Sequence, residues 1–408
     1  NSSNENLLKY ENGNLIALAP GTVELSVTAT YSNKSVTSDV LTIEIFEDVD
    51  LPEFETGEII LDSDELTGRT GTNIELPSVI KAEKYFEEPI DKYYMYFSYA
   101  SQSGGIALAT APSPEGPWTP YNNGEPIITR YLSGDLSGEV TGAAPIWNKM
   151  TNELNMYYSH AKNSVMLATS KDGINFKFEK KVIDLSDFNG KSSQAYQVSV
   201  YENEIANNGN KYTMLITGNK GGKRQVNYAT SNDGLDWEVN EEALITPIDK
   251  DKGNIASPRL MIWDNKKYIV FHNSKGDIEI QSISDDFKTS KRIGTLYDSV
   301  IEEPDLNRSA DAWFYEEDNT LHMYYTAGAN NGGGSKPSSR IAHTSVKMDE
   351  KPTDPDVKPI DPDDESNENV DTPKTGDTVS TLPYVLSMFA GFVILFLGRK
   401  KPISLKDK

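Results

Sequence analysis

Three acidic residues precede or begin separate apolar strands, which makes them the residues best suited to acid–base chemistry. Glu75 lies in NIELPSVIK, Glu139 in SGEVTGAAPIW and Asp311 in EEPDLNRSAD. Two carboxyl groups on opposite sides of a scissile bond can supply the acid and the base of a hydrolysis. Because these residues are far apart in the chain, they can act together only in a fold that brings distant strand ends to one point.

A Tyr-rich strand recurs five times between residues 63 and 347 and indicates such a fold. It is written KYYMYFSYA, LNMYYSHA, KYTMLITG, KYIVFHNS and LHMYYTAG. Each copy stands between two further short strands, and three copies lead through a turn to a Phe or Trp. Four strands in each of five repeats predict an all-β, five-bladed β-propeller over residues 63–347. The corresponding positions of the repeats, roughly 53 to 61 residues apart, are Met95, Met156, Met214, Val270 and Met323.

A closed ring of blades is expected to take the strands of one blade from both ends of the domain. Residues 48–62 form a linker before the repeats, and GEIILDS at 57–63 is strand-like. We therefore take GEIILDS as a candidate for the outer strand of the last blade.

The innermost strand of each blade lines the central channel, so the residues that enter these strands converge on the axis. We assign Glu75, Glu139 and Asp311 to catalysis, with Glu303 and Asp305 as further acids of blade five. A buried Arg needs an anionic partner, so Arg259 is expected to bind a carboxylated sugar or to hold Glu75 ionised. The candidates for substrate binding are Arg259, Tyr99, His160 and Gln197.

Plainer interpretations of these residues stay open. Glu75 and Arg259 are also compatible with a structural ion pair across the channel, and Glu139 and His160 with solvated loop positions. The recurring Tyr, Phe and Trp residues are most simply packing between blades. Asp172 and Asp233, each followed by Gly, predict turns.

Composition excludes several classes of function. The chain carries 62 acidic and 39 basic residues, a net charge of −23, which disfavours nucleic acid as a partner. It has no Cys and only four His, so we predict no disulfide, no catalytic thiol and no catalytic metal. No cofactor is required, a structural calcium ion is left open, and a monomer is expected.

The blade-one segments LPSVIKAEKYF and KYYMYFSYASQSGGIALATAPSPEGPW resemble those of the five-bladed glycoside hydrolases of families 43 and 32. The resemblance implies a carboxylate base or nucleophile on the first inner strand, a carboxylate that tunes its pKa on the second and a general acid on the third. Glu75 matches the first position, where the family usually has Asp, and Glu139 approximates the second. Gln197 stands at the third position, where an acid is expected.

The resemblance implies a hydrolase that acts on glycans or polysaccharide side chains. The alternative is a propeller that binds glycan without cleaving it and serves as a surface adhesin. A lyase or an esterase on the same scaffold also stays open.

The N-terminal segment, residues 1–47, alternates apolar and polar residues between Asn-Gly turns, a pattern typical of strands and hairpins. Its NLIALAPGT resembles the second half of a group 2 bacterial immunoglobulin-like domain. We therefore expect a partial immunoglobulin-like β-sandwich that acts as a spacer.

The C-terminal segment begins with an acidic, Pro-rich stretch at 348–371, whose composition is typical of an extended, disordered spacer. Residues 372–408 contain TPKTGD, an apolar segment at 382–397 that predicts an anchor helix, and a basic tail. This order resembles the LPxTG cell-wall sorting signal of Gram-positive bacteria, although Thr372 replaces the usual Leu. The resemblance implies sortase and peptidoglycan as partners and an extracellular, wall-anchored protein; a plain membrane anchor is the alternative. The matching residues are Thr372, Pro373, Thr375 and Gly376.

Overall fold

The computed structural model describes nine stretches of the chain. They are residues 2–11, 14–31, 34–46, 49–66, 73–100, 104–202, 210–328, 339–348 and 393–396. The chain divides into two compact units, one of Leu51–Met348 and one of Asn1–Asp50 with Asp349–Lys408.

The smaller unit contains six short strands from the N-terminal segment. Two pairs form hairpins, β1 with β2 and β4 with β5, and β3 pairs antiparallel with β6. Leu8, Val23, Ile43 and Ile45 form its buried core. The strands are β1 (Leu8–Glu11), β2 (Asn14–Ala17), β3 (Gly21–Leu25), β4 (Thr28–Tyr31), β5 (Lys34–Thr37) and β6 (Leu41–Phe46). The immunoglobulin-like assignment stays a prediction.

The larger unit is the predicted all-β, five-bladed propeller, with four antiparallel strands in each blade. The strand β7 is Glu58–Leu61. Blade one is β8 (Ile74–Lys81), β9 (Tyr93–Tyr99), β10 (Ile106–Ala111) and β11 (Thr119–Pro120); blade two is β12 (Val140–Asn148), β13 (Glu153–His160), β14 (Ser164–Ser170) and β15 (Lys177–Asp184). Blade three is β16 (Tyr196–Tyr201), β17 (Tyr212–Lys220), β18 (Lys223–Ser231) and β19 (Glu238–Val239); blade four is β20 (Ile255–Trp263), β21 (Lys266–Asn273), β22 (Ile278–Ile283) and β23 (Ser290–Tyr297). Blade five adds β24 (Ser309–Glu317), β25 (Thr320–Ala327) and β26 (Arg340–Lys347).

Strand β7 completes blade five. It pairs antiparallel with β26, with Leu61 opposite Ile341 and Ile59 opposite Ala342. The residues before blade one thus supply the outer strand of the last blade, as the pattern of GEIILDS predicts. This pairing closes the ring through the chain's own backbone hydrogen bonds.

Helices in the described residues are short. One α-helix, α1, spans Arg130–Ser133. None of the helices that the structure describes is long and apolar enough to cross a membrane. The 3-10 helices are Ser63–Glu65, Ala82–Lys84, Tyr121–Gly124, Leu185–Phe188 and Asp249–Asp251.

Four residues of the apolar C-terminal segment belong to the smaller unit as a strand. This strand, β27 (Val393–Phe396), pairs parallel with β6. The helix expected over 382–397 is therefore wrong for these four residues. They are β-branched or large and apolar, which suits pairing with an available sheet edge. The rest of the predicted anchor, the spacer and the sorting signal lie outside the described residues.

Aromatic side chains pack between blades, as the plainer interpretation predicts. Tyr96, Tyr157 and Tyr324 are buried, and each donates its hydroxyl to a carbonyl in a turn of a neighbouring blade. The acceptors are the carbonyl oxygens of Gly173 at 2.9 Å, Gly234 at 2.5 Å and Pro114 at 2.7 Å, respectively. The Asp172 and Asp233 turns therefore serve as docking points between blades.

The register of blade four corrects one sequence assignment. In every blade, one residue of the second strand pairs with the second residue after the bulge of the inner strand. In blades one, two, three and five this residue is the Met chosen from the sequence, and in blade four it is Ile269. The four Met residues are Met95, Met156, Met214 and Met323. Val270, the position assigned from the sequence, is one residue too late. The cause is that KYIVF offers two consecutive β-branched residues, and a one-residue slip exchanges the two faces of a strand.

Each inner strand carries a β-bulge at the same place. The ladder shifts between Glu75 and Ser78 in blade one, and equivalent shifts occur in the other four blades. One residue of every bulge has a left-handed backbone with φ between 48° and 72°, a conformation that only Gly adopts without strain. These residues are Leu76, Gly142, Gln197, Ser257 and Asp311.

The bulges join the blades through a ring of hydrogen bonds. The N–H of each bulge residue leaves its own sheet and donates to a side chain on the second strand of the preceding blade. The pairs are Gly142 to Ser98 Oγ (2.9 Å), Gln197 to Ser159 Oγ (2.8 Å), Ser257 to Thr217 Oγ1 (3.0 Å), Asp311 to His272 Nδ1 (3.3 Å) and Leu76 to Thr326 Oγ1 (3.1 Å).

Removal of one acceptor from this ring tests its contribution to stability. Thr217→Val keeps the shape of the side chain but leaves the Ser257 N–H buried without its acceptor. We expect the free energy of unfolding to fall by about 1–3 kcal/mol, measured by denaturant titration. Thr169→Val is the control because the Thr169 hydroxyl bonds only at the surface, to Glu179. An equal loss in both variants contradicts the ring's role.

Candidate active site at the propeller axis

Glu75 and Asp311 meet at one end of the channel, although 236 positions separate them in the chain. Glu75 lies on β8 directly before the bulge of blade one, and Asp311 is the bulge residue of β24 in blade five. Thr326 Oγ1 accepts from the N–H of Leu76, the residue after Glu75, and donates to Asp311. The negative charge of Asp311 contributes to the raised pKa of Glu75. The structure therefore brings together two of the three acids assigned to catalysis from the sequence.

Asp311 is fixed in place by hydroxyl donors. Its side chain is only 1% exposed and accepts hydrogen bonds from Ser257 Oγ at 2.5 Å and Thr326 Oγ1 at 2.9 Å. Burial opposes ionisation of Asp311, but the positive charge that His272 carries when protonated, the charge of Arg308 and these donors outweigh it and lower the pKa of the carboxyl below its ordinary value. The ionised form of Asp311 is therefore favoured at neutral pH.

Glu75 has the opposite tendency. Part of its side chain stays accessible, yet burial chiefly, with the charges of Asp311 and Glu139 in addition, raises its pKa to about 7, against the opposing effects of Arg308 and Lys162. Glu75 therefore keeps its proton at mildly acidic pH, where an ordinary Glu is ionised.

Glu139, the third acid, lies at the rim of the same mouth. Its carboxylate contacts Lys162 Nζ at 3.1 Å and keeps about a quarter of its side chain exposed (24%). Its main-chain carbonyl accepts from the N–H of Ala161. Glu139 is thus an accessible carboxylate whose charge reaches Glu75.

The two other acids of blade five are placed away from this pair. Asp305 is fully buried and accepts hydrogen bonds from the hydroxyls of Tyr297 and Tyr325 at 2.9 and 2.8 Å. Glu303 is exposed and pairs with Arg340. Both have structural partners.

Arg259 lies in the channel but forms no ion pair with Glu75 among the residues that the structure describes. Its guanidinium donates from Nη1 to the carbonyl oxygens of Pro258 (3.0 Å) and Val198 (3.4 Å), and lies 5.4 Å from the ring centre of Trp313. The expectation that Arg259 holds Glu75 ionised is wrong, because the β20 bulge directs the guanidinium towards the blade-three backbone.

Tyr99 and His160 face away from the axis. Tyr99 is buried among Phe97, Leu66 and other residues of the core between blades, and donates to Gly124 O at 2.5 Å. His160 is buried, with Nε2 3.2 Å from Asp135 O and Nδ1 3.7 Å from its carboxylate, so the solvated-loop interpretation is wrong. Tyr99 directly follows Ser98, and His160 directly follows Ser159, the two Ser residues that accept bulge hydrogen bonds. Because consecutive strand residues point to opposite faces, Tyr99 and His160 point away from the bulges.

Gln197 is at the axis as the bulge residue of blade three. Its main chain donates to Ser159, and its Oε1 is buried without a partner among the described residues. The Gln197 amide can bind a polar ligand. It cannot donate a proton as a catalytic acid, as a carboxyl group can.

The structure adds residues that the sequence did not single out. His272 Nδ1 lies 3.5 Å from Asp311 Oδ1, and burial lowers the pKa of its imidazole to about 4 despite that carboxylate. The positive charge of Arg308 lowers the pKa of Glu75, of Asp311 and of His272. Arg224 lies 5.3 Å from the ring centre of Tyr196. A comparison of the five repeats could reveal His272, because the other four blades have Ser or Thr at this position.

The described residues contain no group of three or more His, Cys, Asp or Glu side chains that could hold a metal ion. The carboxylates of the mouth instead have Lys, His and hydroxyl partners.

Comparisons with known proteins show the fold. No family model and no curated protein matches the sequence. A glycoside hydrolase structure has a TM-score of 0.54 and 14% identity, covering 74% of this chain and 94% of its own. A thermostable family-43 glycoside hydrolase has a TM-score of 0.51 and 14% identity, covering 68% and 89%. The α-L-arabinofuranosidase of Podospora anserina, in complex with cellotriose, has a TM-score of 0.53 and 10% identity, covering 73% and 98%.

The chain therefore has the five-bladed propeller fold of these glycoside hydrolases. At sequence identities of 10 to 14%, the similarity shows a shared fold and does not show a shared active site. What the site does must be argued from its own residues.

The raised pKa of Glu75 predicts a pH dependence of stability. The folded-state pKa is about 7 and the ordinary value is 4.5, so the native protein holds more protons than the unfolded chain in this range. Its stability contribution is full below about pH 4.5 and is lost as the pH rises through 7. Glu75→Gln removes this loss, and we expect its stability relative to wild type to rise by about 1–2 kcal/mol between pH 5 and 8. Denaturant titrations at both pH values measure it, and a constant difference contradicts the assignment.

Proposed function

We propose that the propeller is a glycoside hydrolase that acts on glycans or polysaccharide side chains. The observation that carries this proposal is the opposite behaviour of two neighbouring carboxyl groups. The pKa of Glu75 is raised to about 7, whereas that of Asp311 is lowered. Carboxyl groups whose pKa values are driven apart in one cleft are typical of acid–base catalysis. The shared fold with glycoside hydrolases supports the same class.

In the proposed reaction, Glu75 donates its proton to the glycosidic oxygen while the bond to the anomeric carbon breaks. Asp311 keeps that proton on Glu75 until transfer, because a second negative charge beside it is unfavourable. Glu139 is the accessible carboxylate of the mouth. It either takes a proton from the attacking water or bonds to the anomeric carbon, and water completes hydrolysis in both courses.

This assignment exchanges the roles that the resemblance implies. The family pattern makes the blade-one carboxylate the base or nucleophile, but a carboxyl whose pKa is about 7 is suited to the acid. Gln197 then binds substrate, and the acid missing from blade three is supplied by blade one.

A binding propeller without catalysis is the second candidate. The bulge residues of blades one to four are Leu76, Gly142, Gln197 and Ser257, and none is acidic. Only blade five places a carboxylate at this position. Buried polar groups such as the Tyr196 hydroxyl, which has no partner among the described residues, also suit ligand binding.

Turnover of synthetic and polymeric glycans tests the catalytic proposal. The panel includes aryl α-L-arabinofuranosides and β-xylosides, arabinan and xylan, because the similar structures include an arabinofuranosidase and a family-43 hydrolase. We expect wild-type turnover to decline as the pH rises through about 7, when Glu75 loses its proton. Glu75→Gln should lower kcat by about 10²–10⁴-fold.

Glu202→Gln is the matched control, because Glu202 is an exposed acid paired with Lys149 outside the axis. Its turnover should equal that of wild type. A wild-type protein that binds members of the panel but cleaves none supports the binding propeller. Cleavage that survives Glu75→Gln removes Glu75 from the reaction.

We further propose that the enzyme is displayed on the cell wall of a Gram-positive bacterium. Support comes from the order of TPKTG, apolar segment and basic tail at 372–408. Sortase would cut between Thr375 and Gly376 and join Thr375 to peptidoglycan. The acidic spacer at 348–371 would then separate the propeller from the wall.

Substitution within the signal tests this placement. Thr375→Ala should move the protein from the wall fraction to membrane and medium, while Thr378→Ala, three residues further on, should leave it in the wall fraction. Mass spectrometry of protein released by a muralytic enzyme should find a C-terminus at Thr375. Wall retention of Thr375→Ala contradicts the proposed anchoring.

A further inference from the structure

Arg259 is a buried cation whose hydrogen-bonding capacity is only partly used. The side chain is 1% exposed, and Nη1 alone has acceptors, the carbonyl oxygens of Val198 and Pro258. Nε and Nη2 have no acceptor among the described residues. Three N–H groups of the guanidinium are therefore directed into protein without a partner from the described chain.

The charge of Arg259 is also uncompensated. Among the described residues no carboxylate lies within ion-pairing distance of the guanidinium, and Asp311, which acts on it from further away, already accepts from Ser257 and Thr326. Burial lowers the pKa of Arg259, but a guanidinium stays charged at neutral pH. A buried, unpaired charge is strongly unfavourable, so a counter-charge is required.

An aromatic ring lies against the buried Arg259 guanidinium. Trp313, the residue after the bulge region of blade five, covers one face of the guanidinium at 5.4 Å. A water molecule could accept from Arg259 but would leave its charge uncompensated.

We propose that the propeller axis binds a small monovalent anion, of the chemical class of chloride, at Nε and Nη2 of Arg259. The burial of Arg259, whose side chain is only 1% exposed, selects a small ion. The inference does not depend on the proposed hydrolysis. Because the charge of Arg259 interacts with His272 and with Asp311, occupancy is linked electrostatically to the mouth.

Thermal unfolding of the full protein in sodium chloride and in sodium gluconate tests this site. Ionic strength is held constant, and gluconate is too large for the buried site. We expect chloride to raise the wild-type Tm saturably, by about 3 °C or more at full occupancy. In crystals soaked in bromide, an anomalous peak should lie about 3.5 Å or less from Nε and Nη2 of Arg259.

Arg259→Met removes the charge and keeps an apolar stem. Its Tm should no longer respond to chloride and, in gluconate, should equal or exceed that of wild type, because an unpaired buried charge is gone. Arg130→Met is the matched control, since Arg130 stacks on Tyr131 away from the axis, and its chloride response should persist.

Two outcomes overturn the proposal. One is an equal response of wild type to chloride and gluconate, and the other is bromide bound only at the surface. If Arg259→Met fails to fold, the wild-type Tm series and the bromide positions still decide.

Discussion

The ring of bulge hydrogen bonds is the constraint on which the axis of this propeller depends. At each bulge, one backbone N–H of the inner strand does not bond within its own sheet. It donates instead to a side chain of the preceding blade. Because the bond crosses a blade boundary, the spacing between blades and the direction of the bulge side chains are fixed together. A shift of one blade therefore changes the positions of the bulge residues in both neighbouring blades.

The same ring explains why the pKa values of the two acids, Glu75 and Asp311, shift in opposite directions. In four blades the acceptor is a hydroxyl, but in blade five the Asp311 N–H meets the imidazole of His272. Acceptance at Nδ1 requires a neutral imidazole, which agrees with the low pKa of His272. The hydroxyls of Ser257 and Thr326, which belong to the ring, then hold Asp311 ionised. Glu75 begins the next blade beside this charge, and burial chiefly, with the charge of Asp311 in addition, raises the pKa of Glu75. Fold closure and proton chemistry thus use the same few residues.

The five repeats suffice to predict the fold, because each repeats the order of strands and turns, and the alternation of GEIILDS identifies the closing strand. Glu75 and Asp311 are predictable because acids stand where inner strands begin. The prediction for Tyr99 and His160 is wrong by one residue, since the side chain before each, Ser98 or Ser159, is the one that faces the bulge. His272 escapes prediction for a related reason, because aligning KYIVF on Val270 and not on Ile269 shifts the register of blade four. Periodicity sets the order of strands, but the face of a residue next to a bulge depends on a shift that sequence alone does not locate.

The ionisation of Glu75 itself is the most direct test of the proposed acid pair. In protein labelled with ¹³C at Glu side-chain carboxyls, the Glu75 signal can be assigned by its loss in Glu75→Gln and followed through a pH titration. We expect a midpoint of about 7, and a lower midpoint in Asp311→Asn, where the neighbouring charge is removed. A Glu75 signal that titrates near 4.5, the ordinary value, or one unaffected by Asp311→Asn, would contradict the proposal that burial and Asp311 keep a proton on Glu75.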